Sequence, residues 1–491
     1  MTTLVRQERA VELEDVQGLV RFAYGHLPEV CVLLLRVKNP TAARAWLANV
    51  KPTTAVKGTP PKTALNVAFT SEGLREVAVA PELRDGFSFE FDEGMAGNSA
   101  RTHRLGDVGA NDPCEWLWGV GDRVPHVAVL LYADRACLAA WEASVAAQWG
   151  DGFVCIGRLT SAPPPDALDC EPFGFKDGIS QPDPDWRRER PLGDHDRLAY
   201  DNLVCLGEFL LGYPNEYGLY TPRPVLDPRH DPNGWLLRAE DAPDKADLGR
   251  NGSYLVIRQL QQNVQGFRDT LARLANGDAA ERERLAAAMV GRTTSGEPLV
   301  GVRTGAVRHD DAPLNDFDYE SDPRGVRCPL GAHIRRVNPR NADLPPGTPG
   351  ILSRLCRMLG LDATARDRDL VASTRFHRLL RRGRRYGAGA DTGIHFMCVV
   401  ANIKRQFEFV QSAWVMGTKF DGLTGESDPL LGNRRPDAGG FPTDGFSMPQ
   451  ADGPDRRVDH LPQFVTVRGG AYFFLPGIRA LRCIAGARGG A

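Results

Sequence analysis

The sequence predicts an α+β fold of two ferredoxin-like domains with antiparallel sheets. Three observations carry this. The first third of the chain reads strand, helix, strand and then strand, helix, strand again, and two such units in tandem are the signature of the ferredoxin-like motif. The same order of elements starts again after residue 250. A chain of 491 residues is also longer than one hydrophobic core usually serves.

Each element has its own signal. Residues 30–37 form an apolar run that reads as a buried strand, residues 41–50 carry helical apolar spacing, and residues 63–70 are a second strand. After a Gly-rich, acidic stretch, residues 126–133 form a third strand and residues 153–160 a fourth. Between them residues 138–149 are Ala-rich and free of Gly and Pro, as a helix requires. From about residue 163 to 251 Pro, Asp and Arg dominate, as in Gln181-Pro-Asp-Pro-Asp-Trp186 and Pro222-Arg-Pro224. Such long excursions of turns and loops are usually functional or mobile. In the second cycle residues 254–259 are a strand, 264–275 a helix, 393–401 a strand and 406–416 a helix. Residues 464–467 and 472–475 then form a bent strand or hairpin. The predicted domains are residues 1–240 and 241–491.

Composition excludes several classes. With 25% charged and 42% hydrophobic residues the chain is an ordinary globular protein. A net charge of −2 speaks against a nucleic-acid partner, which calls for a basic face to neutralise phosphates. The apolar runs are too short to span a membrane. The first residues, Met1-Thr-Thr-Leu-Val-Arg-Gln-Glu-Arg9, show no apolar secretion core. The ten cysteines include no Cys-x-x-Cys pair, so a reduced, cytoplasmic protein is expected. In that setting the Asn251-Gly252-Ser253 sequon is a chance match. There is no His-Glu-x-x-His, phosphate-cradling loop or Gly-x-Ser-x-Gly.

Three segments put polar residues where a fold does not need them. Gly174-Phe-Lys-Asp177-Gly178-Ile-Ser180 brackets an acid with glycines, which suit either a plain Asp-Gly turn or the close approach of a planar ligand. Cys328-Pro-Leu-Gly-Ala-His333-Ile-Arg335-Arg336-Val-Asn-Pro-Arg340 has small residues before its histidine and three arginines after it. It reads as a solvated basic edge or as a metal ligand whose arginines neutralise carboxylates, such as the two propionates of haem. In Leu379-Leu-Arg381-Arg-Gly-Arg384-Arg385-Tyr386-Gly387 a charge run follows a helix-like stretch, so at least one arginine turns inward.

Together these segments resemble the dye-decolorizing peroxidase family in its longer-chain branch. Gly174-Phe-Lys-Asp-Gly178 matches its Gly-x-x-Asp-Gly hallmark, and the segments around His333 and Arg381 resemble its proximal-histidine and distal-arginine segments. Further matches lie in Glu12-Leu-Glu-Asp-Val-Gln-Gly18, Asn251-Gly-Ser-Tyr-Leu-Val-Ile-Arg258, Asn315-Asp-Phe-Asp-Tyr319, Gln406-Phe-Glu-Phe-Val-Gln411 and Gly469-Gly-Ala-Tyr-Phe-Phe474. Leu330, where the family often has Phe, and the pair Arg384 and Arg385 depart from the pattern. Residues 183–250 match nothing in it.

The resemblance implies a peroxidase that carries one haem b per chain in the C-terminal domain. It would reduce hydrogen peroxide and oxidise dyes, phenols or similar aromatic reductants through a ferryl intermediate. His333 would bind the iron through Nε2, and a second-shell acceptor, Glu408 before Asn402, would hold its other nitrogen. Asp177 would shuttle the peroxide proton and Arg381 would stabilise the leaving oxygen. Gly178 would lie against the haem, and Arg340, then Arg335, would pair with propionates. Tyr386 would pass electrons from bulky dyes at the surface. A carboxyl base in place of histidine titrates near pH ~4, so dye oxidation is expected to be greatest at acidic pH. A haem-binding or haem-handling protein with incidental peroxidase activity is the alternative, and a scaffold or cargo protein with a decayed site a further one. The tail, Arg488-Gly-Gly-Ala491, has no apolar docking motif. Monomer and homodimer are equally open.

Overall fold

The computed structural model describes residues 10–161, 170–189, 202–302, 313–341, 373–437 and 439–486. The terminal segments considered above, Met1 to Arg9 and Arg488 to Ala491, lie outside them.

The first cycle comprises β1 (Glu29–Val37), α1 (Pro40–Asn49), β2 (Thr63–Phe69), β3 (Val127–Ala133), α2 (Leu138–Trp149) and β4 (Phe153–Thr160). Helix α1 starts where Pro40 presets the backbone and Asn39 accepts from the Thr41 and Ala42 N–H groups. The second cycle comprises β5 (Ser253–Gln262), α3 (Val264–Leu274), the short α4 (His333–Val337), β6 (Leu380–Arg381), β7 (Arg384–Ala388), β8 (Asp391–Val400), β9 (Val465–Leu475) and α5 (Ile478–Ile484). A π-wound helix over Lys404–Glu408 and Val410–Val415 stands between β8 and β9.

These nine strands form one antiparallel sheet in the order β6-β8-β5-β9-β2-β3-β1-β4, with β7 also on β8. The order β2-β3-β1-β4 is one ferredoxin-like sheet, and β9-β5-β8 with β6 and β7 is the other. They join edge to edge through a single residue pair, Phe474 and Phe69. Gln17 reinforces this thin joint. Its amide exchanges two hydrogen bonds with Val67 of β2 and donates to the Pro476 carbonyl just beyond β9. At the far ends β7 and β4 lie against each other, with His395 Nε2 3.3 Å from the Thr160 carbonyl. The sheet therefore curls until its ends meet, which protects both edges.

Burial on both faces explains the continuous apolar runs. In β1, Cys31, Leu33 and Leu35 pack under the helices, while Val30, Val32 and Leu34 pack beneath Val16, Leu19 and Val20 and the excursion residues Leu206, Phe209 and Leu210. A Leu-to-Ala change in either layer costs about 2–5 kcal/mol.

Of the bent strand and the hairpin expected near the end of the chain, the bent strand is found: β9 is one strand with a bulge between Val467 and Gly469. A second expectation is corrected. The arginine segment 379–387 is not a helix end with a loop. It is the missing second strand of the second cycle, as β6 and β7, and the Gly-Ala-Gly-Ala run closes the β7–β8 hairpin.

The excursion is tied down by buried charge. Arg250 pairs with Glu12 and Glu240, and Arg188 meets Glu240 through two nitrogens at 3.1 Å. Asn251 donates to Asp15 and accepts from Tyr213, so the sequon asparagine is buried and bonded rather than open to modification. Asp15 also accepts from the Arg479 N–H at the start of α5.

Candidate active site

The histidine side is built first by α4. Gly331 and Ala332 precede the helix, and His333 is its first residue. Its Nδ1 donates to Asp428 Oδ2 at 2.9 Å. Asp428 is fully buried, and its Oδ1 accepts the Leu430 and Leu431 N–H groups, each at 2.9 Å. Burial works to raise the Asp428 pKa, but the His333 ring, the Leu431 N–H and Arg336 outweigh it and the carboxyl is held below its ordinary value. An ionised carboxylate only accepts, so the Nδ1–H tautomer is fixed and the Nε2 lone pair is free. Nε2 has no hydrogen-bond partner among the described residues, and the side chain is 25% accessible.

The second cluster is the loop between β4 and the excursion, closed on β6. Asp177 Oδ1 accepts from Arg381 Nη1 at 3.0 Å and from the Gly178 N–H at 2.6 Å. Arg381 Nη2 reaches the Ser180 carbonyl at 3.4 Å. The pair is not closed off: 40% of Asp177 and 32% of Arg381 remain accessible. Burial pushes the Asp177 pKa up, but Arg381, the Gly178 N–H and the His333 ring pull it down further, and it sits below the ordinary aspartate value. His333 is thus near enough for its charge to act on Asp177.

Glu171 shapes the loop by accepting from the Phe173 and Phe175 N–H groups and from Gln262. Gly174 and Gly178 have φ of +101° and +82°, and a Cβ at either would meet nothing within 4 Å. That conformation favours glycine, and the open space beside it admits a flat ligand.

The structure separates the remaining candidates. Glu408, the preferred acceptor for His333, instead pairs with Arg101 at 2.8 Å and accepts from Tyr472 at 3.0 Å. Asn402 caps the following helix by accepting from the Arg405 N–H. Arg335 is committed to the carbonyls of Asp322 and Cys328. Arg340 donates to the carbonyls of Asn315 and Phe317 and lies 3.6 Å above the Phe317 ring. Arg336 gathers the carbonyls of Trp414, Gly417 and Glu426. Arg335 and Arg336 therefore organise backbone turns around His333. Tyr386 is not a surface aromatic; it is 5% exposed and stacked on His395 at 4.3 Å.

Asp428 and Arg292 were not anticipated. Arg292 bonds Ser180 Oγ and the carbonyls of Gly296 and Leu314. Burial and the like charges of Arg340 and Arg381 lower its pKa to about 10. Arg292, Arg340 and Arg381 thus lie within reach of one another's charge, a setting suited to an anionic ligand edge. Free Nε2, an accessible acid–arginine pair within electrostatic reach of it and open space over two glycines fit a haem.

No family model matches the chain. It is 31% identical over 262 residues to a multifunctional dye peroxidase of Amycolatopsis sp., a match spanning 48% of this chain and 49% of that protein. It is 28% identical to a dye-decolorizing peroxidase of Mycetinis scorodonius, over 87% of this chain and 77% of the relative. The dye-decolorizing peroxidase of Auricularia auricula-judae is 25% identical over 96% of this chain and 86% of its own. Among solved structures, a DyP-type peroxidase of Anabaena sp. superposes with a TM-score of 0.69 at 23% identity, covering 96% of this chain and 94% of its own. The Auricularia enzyme with imidazole superposes with 0.72 at 22% identity, over 97% and 100%.

Fold and site together define a protein with two ferredoxin-like units, a carboxylate-tied histidine and an acid–arginine pair within electrostatic reach of it. Over most of its length the chain is similar to dye-decolorizing peroxidases.

Proposed function

We propose that the chain is a haem peroxidase that reduces hydrogen peroxide and oxidises dyes, phenols or similar aromatic reductants, with one haem b per chain. The observation that carries this is the pairing of Asp177 with Arg381 within electrostatic reach of a histidine whose Nδ1 is tied to Asp428. His333 would hold the iron through Nε2, and Arg340 and Arg292 would face the anionic edge. When bound, the haem supplies an iron that takes up peroxide and stores two oxidising equivalents for return by two one-electron donors.

The chain's own residues do the proton work. Asp177 Oδ1 is held by Arg381 and Gly178, so Oδ2 is the oxygen left to accept the proton of the near peroxide oxygen and return it to the far one. Arg381 is preorganised to stabilise the charge that develops there. Asp428, kept ionised, raises the basicity of the His333 imidazole. Peroxide leaves as two waters once the reductant has supplied two electrons and two protons have followed.

A haem-handling protein needs the histidine but no acid held ready on the opposite side. Asp177→Asn separates the two readings. The variant should keep the Soret band of the wild type and lose about 10²- to 10⁴-fold in its rate with peroxide. An unchanged rate would favour haem handling. For location, no helix among the described residues is long and apolar enough to cross a membrane. The nine described cysteines are all free, which supports a reducing, cytoplasmic setting. The reading calls on no nucleic acid, and it accommodates a monomer or a homodimer.

A further inference from the structure

We propose that Gln181 is the positioning residue that holds Arg381 in register against Asp177, its amide acting as a one-residue neighbouring strand. The proposal deepens the peroxidase reading and rests on it for its kinetic test.

The geometry follows from strand pairing. Backbone groups of successive strand residues point to opposite sides. Arg382 donates to the Met397 carbonyl of β8, so the N–H and carbonyl of Arg381 face away from β8, on the open edge of the sheet. There the Gln181 side chain meets both. The Arg381 N–H donates to Gln181 Oε1 at 3.0 Å, and Gln181 Nε2 donates to the Arg381 carbonyl at 3.3 Å. No other side-chain type of this length offers a donor and an acceptor together at neutral pH. Gln181 is itself fixed, since its carbonyl accepts from Asn315 Nδ2 at 2.9 Å and its N–H donates to the Ile179 carbonyl. Its neighbour Ser180 is held by Arg292 at 2.8 Å.

Asp177 and Arg381 are 204 residues apart in sequence. Their side chains meet through one direct bond, whereas Gln181 links the two backbones four residues from Asp177. A shift of about 1 Å in such a pair is enough to cost on the order of 10²-fold in rate. The charged groups acting on Asp177 are Arg381 and His333, with Glu171 beside the loop and Arg292 behind Arg381.

The test compares Gln181→Met, which keeps length and apolar volume, with Gln181→Glu. In the haem-loaded protein Gln181→Met should retain the Soret band and lose about 10- to 100-fold in its rate with peroxide. The acid limb of that rate should move to higher pH, because a displaced Arg381 no longer depresses Asp177. Gln181→Glu should recover most of the rate only at acidic pH, where the protonated carboxyl again offers a donor and an acceptor.

A second readout needs no haem. In infrared difference spectra of the apoprotein, wild type against Asp177→Asn, the Asp177 carboxyl should titrate below the ordinary aspartate range. In the Gln181→Met background it should titrate higher. Wild-type rate and acid limb in Gln181→Met would overturn the proposal. So would loss of haem binding, which would mark a merely structural role. A wild-type protein that takes up no haem would strike at the peroxidase reading, and the infrared comparison would still decide the role of Gln181.

Discussion

At the scale of single residues the proposed site rests on two carboxylates of opposite duty. Asp428 is buried, bonded by two N–H groups and a ring N–H, and has no reason to move a proton. Replacing it with Asn removes the charge while keeping the shape. Asp428→Asn should weaken haem retention or turnover by about 10- to 100-fold, as loss of such outer partners does, measured by haem titration and steady-state rate. Asp177 is accessible and its pKa is lowered, with burial opposed by Arg381, Gly178 and His333. A base of that kind stays ionised above its folded pKa and is lost only as pH falls through it. The acid limb of the peroxide reaction should therefore lie below the pH ~4 of an ordinary aspartate, with acidic activity retained. A limb at or above pH 5 in a stopped-flow series would contradict this assignment. The sequence made Asp177, Arg381 and His333 visible through their neighbours. Asp428 left no such trace, because its bond to His333 spans 95 residues and its local context, Ser427-Asp428-Pro429, reads as a turn.

At the scale of elements, strands were legible wherever both faces are buried, since β1 and β3 are unbroken apolar runs. Strands β6 and β7 were hidden because their outward residues are arginines: Arg381 serves the proposed site and Arg382 binds the carbonyls of Leu19 and Val20. A local hydrophobic period cannot show a strand whose polar side chains find distant partners. The excursion was opaque for the same reason. Its order comes from Arg188, Glu240 and Arg250 meeting Glu12, residues far apart in the chain. The Glu240 pKa is lowered to about 2, burial being outweighed by Arg188, Tyr220 and Arg250. Glu240→Gln should cost about 2 kcal/mol, between the values for exposed and fully buried pairs. The depressed pKa makes this stability present above the unfolded value of ~4.3 and lost as pH falls toward about 2. Urea melts should show a constant gap at neutral pH that narrows below pH ~4.3; a gap that stays constant throughout would remove Glu240 from the account.

At the scale of the whole molecule, two ferredoxin-like sheets joined by one residue pair and the Gln17 clamp curl into a single wall. We propose that the division near residue 240 separates the unit that carries Asp177 from the unit that carries His333 and Arg381. The site then exists only when the two are assembled, and the β7–β4 contact and the Gln17 joint hold them in that arrangement. The central claim is that this assembly carries a haem on His333 with Asp177 poised opposite. An absorption spectrum of the haem-reconstituted protein, taken before and after one equivalent of hydrogen peroxide, tests it most directly. A Soret band that shifts rapidly on peroxide addition and returns when a phenol is supplied is the expected result; a protein that forms no Soret band, or one whose band does not respond to peroxide, would contradict it.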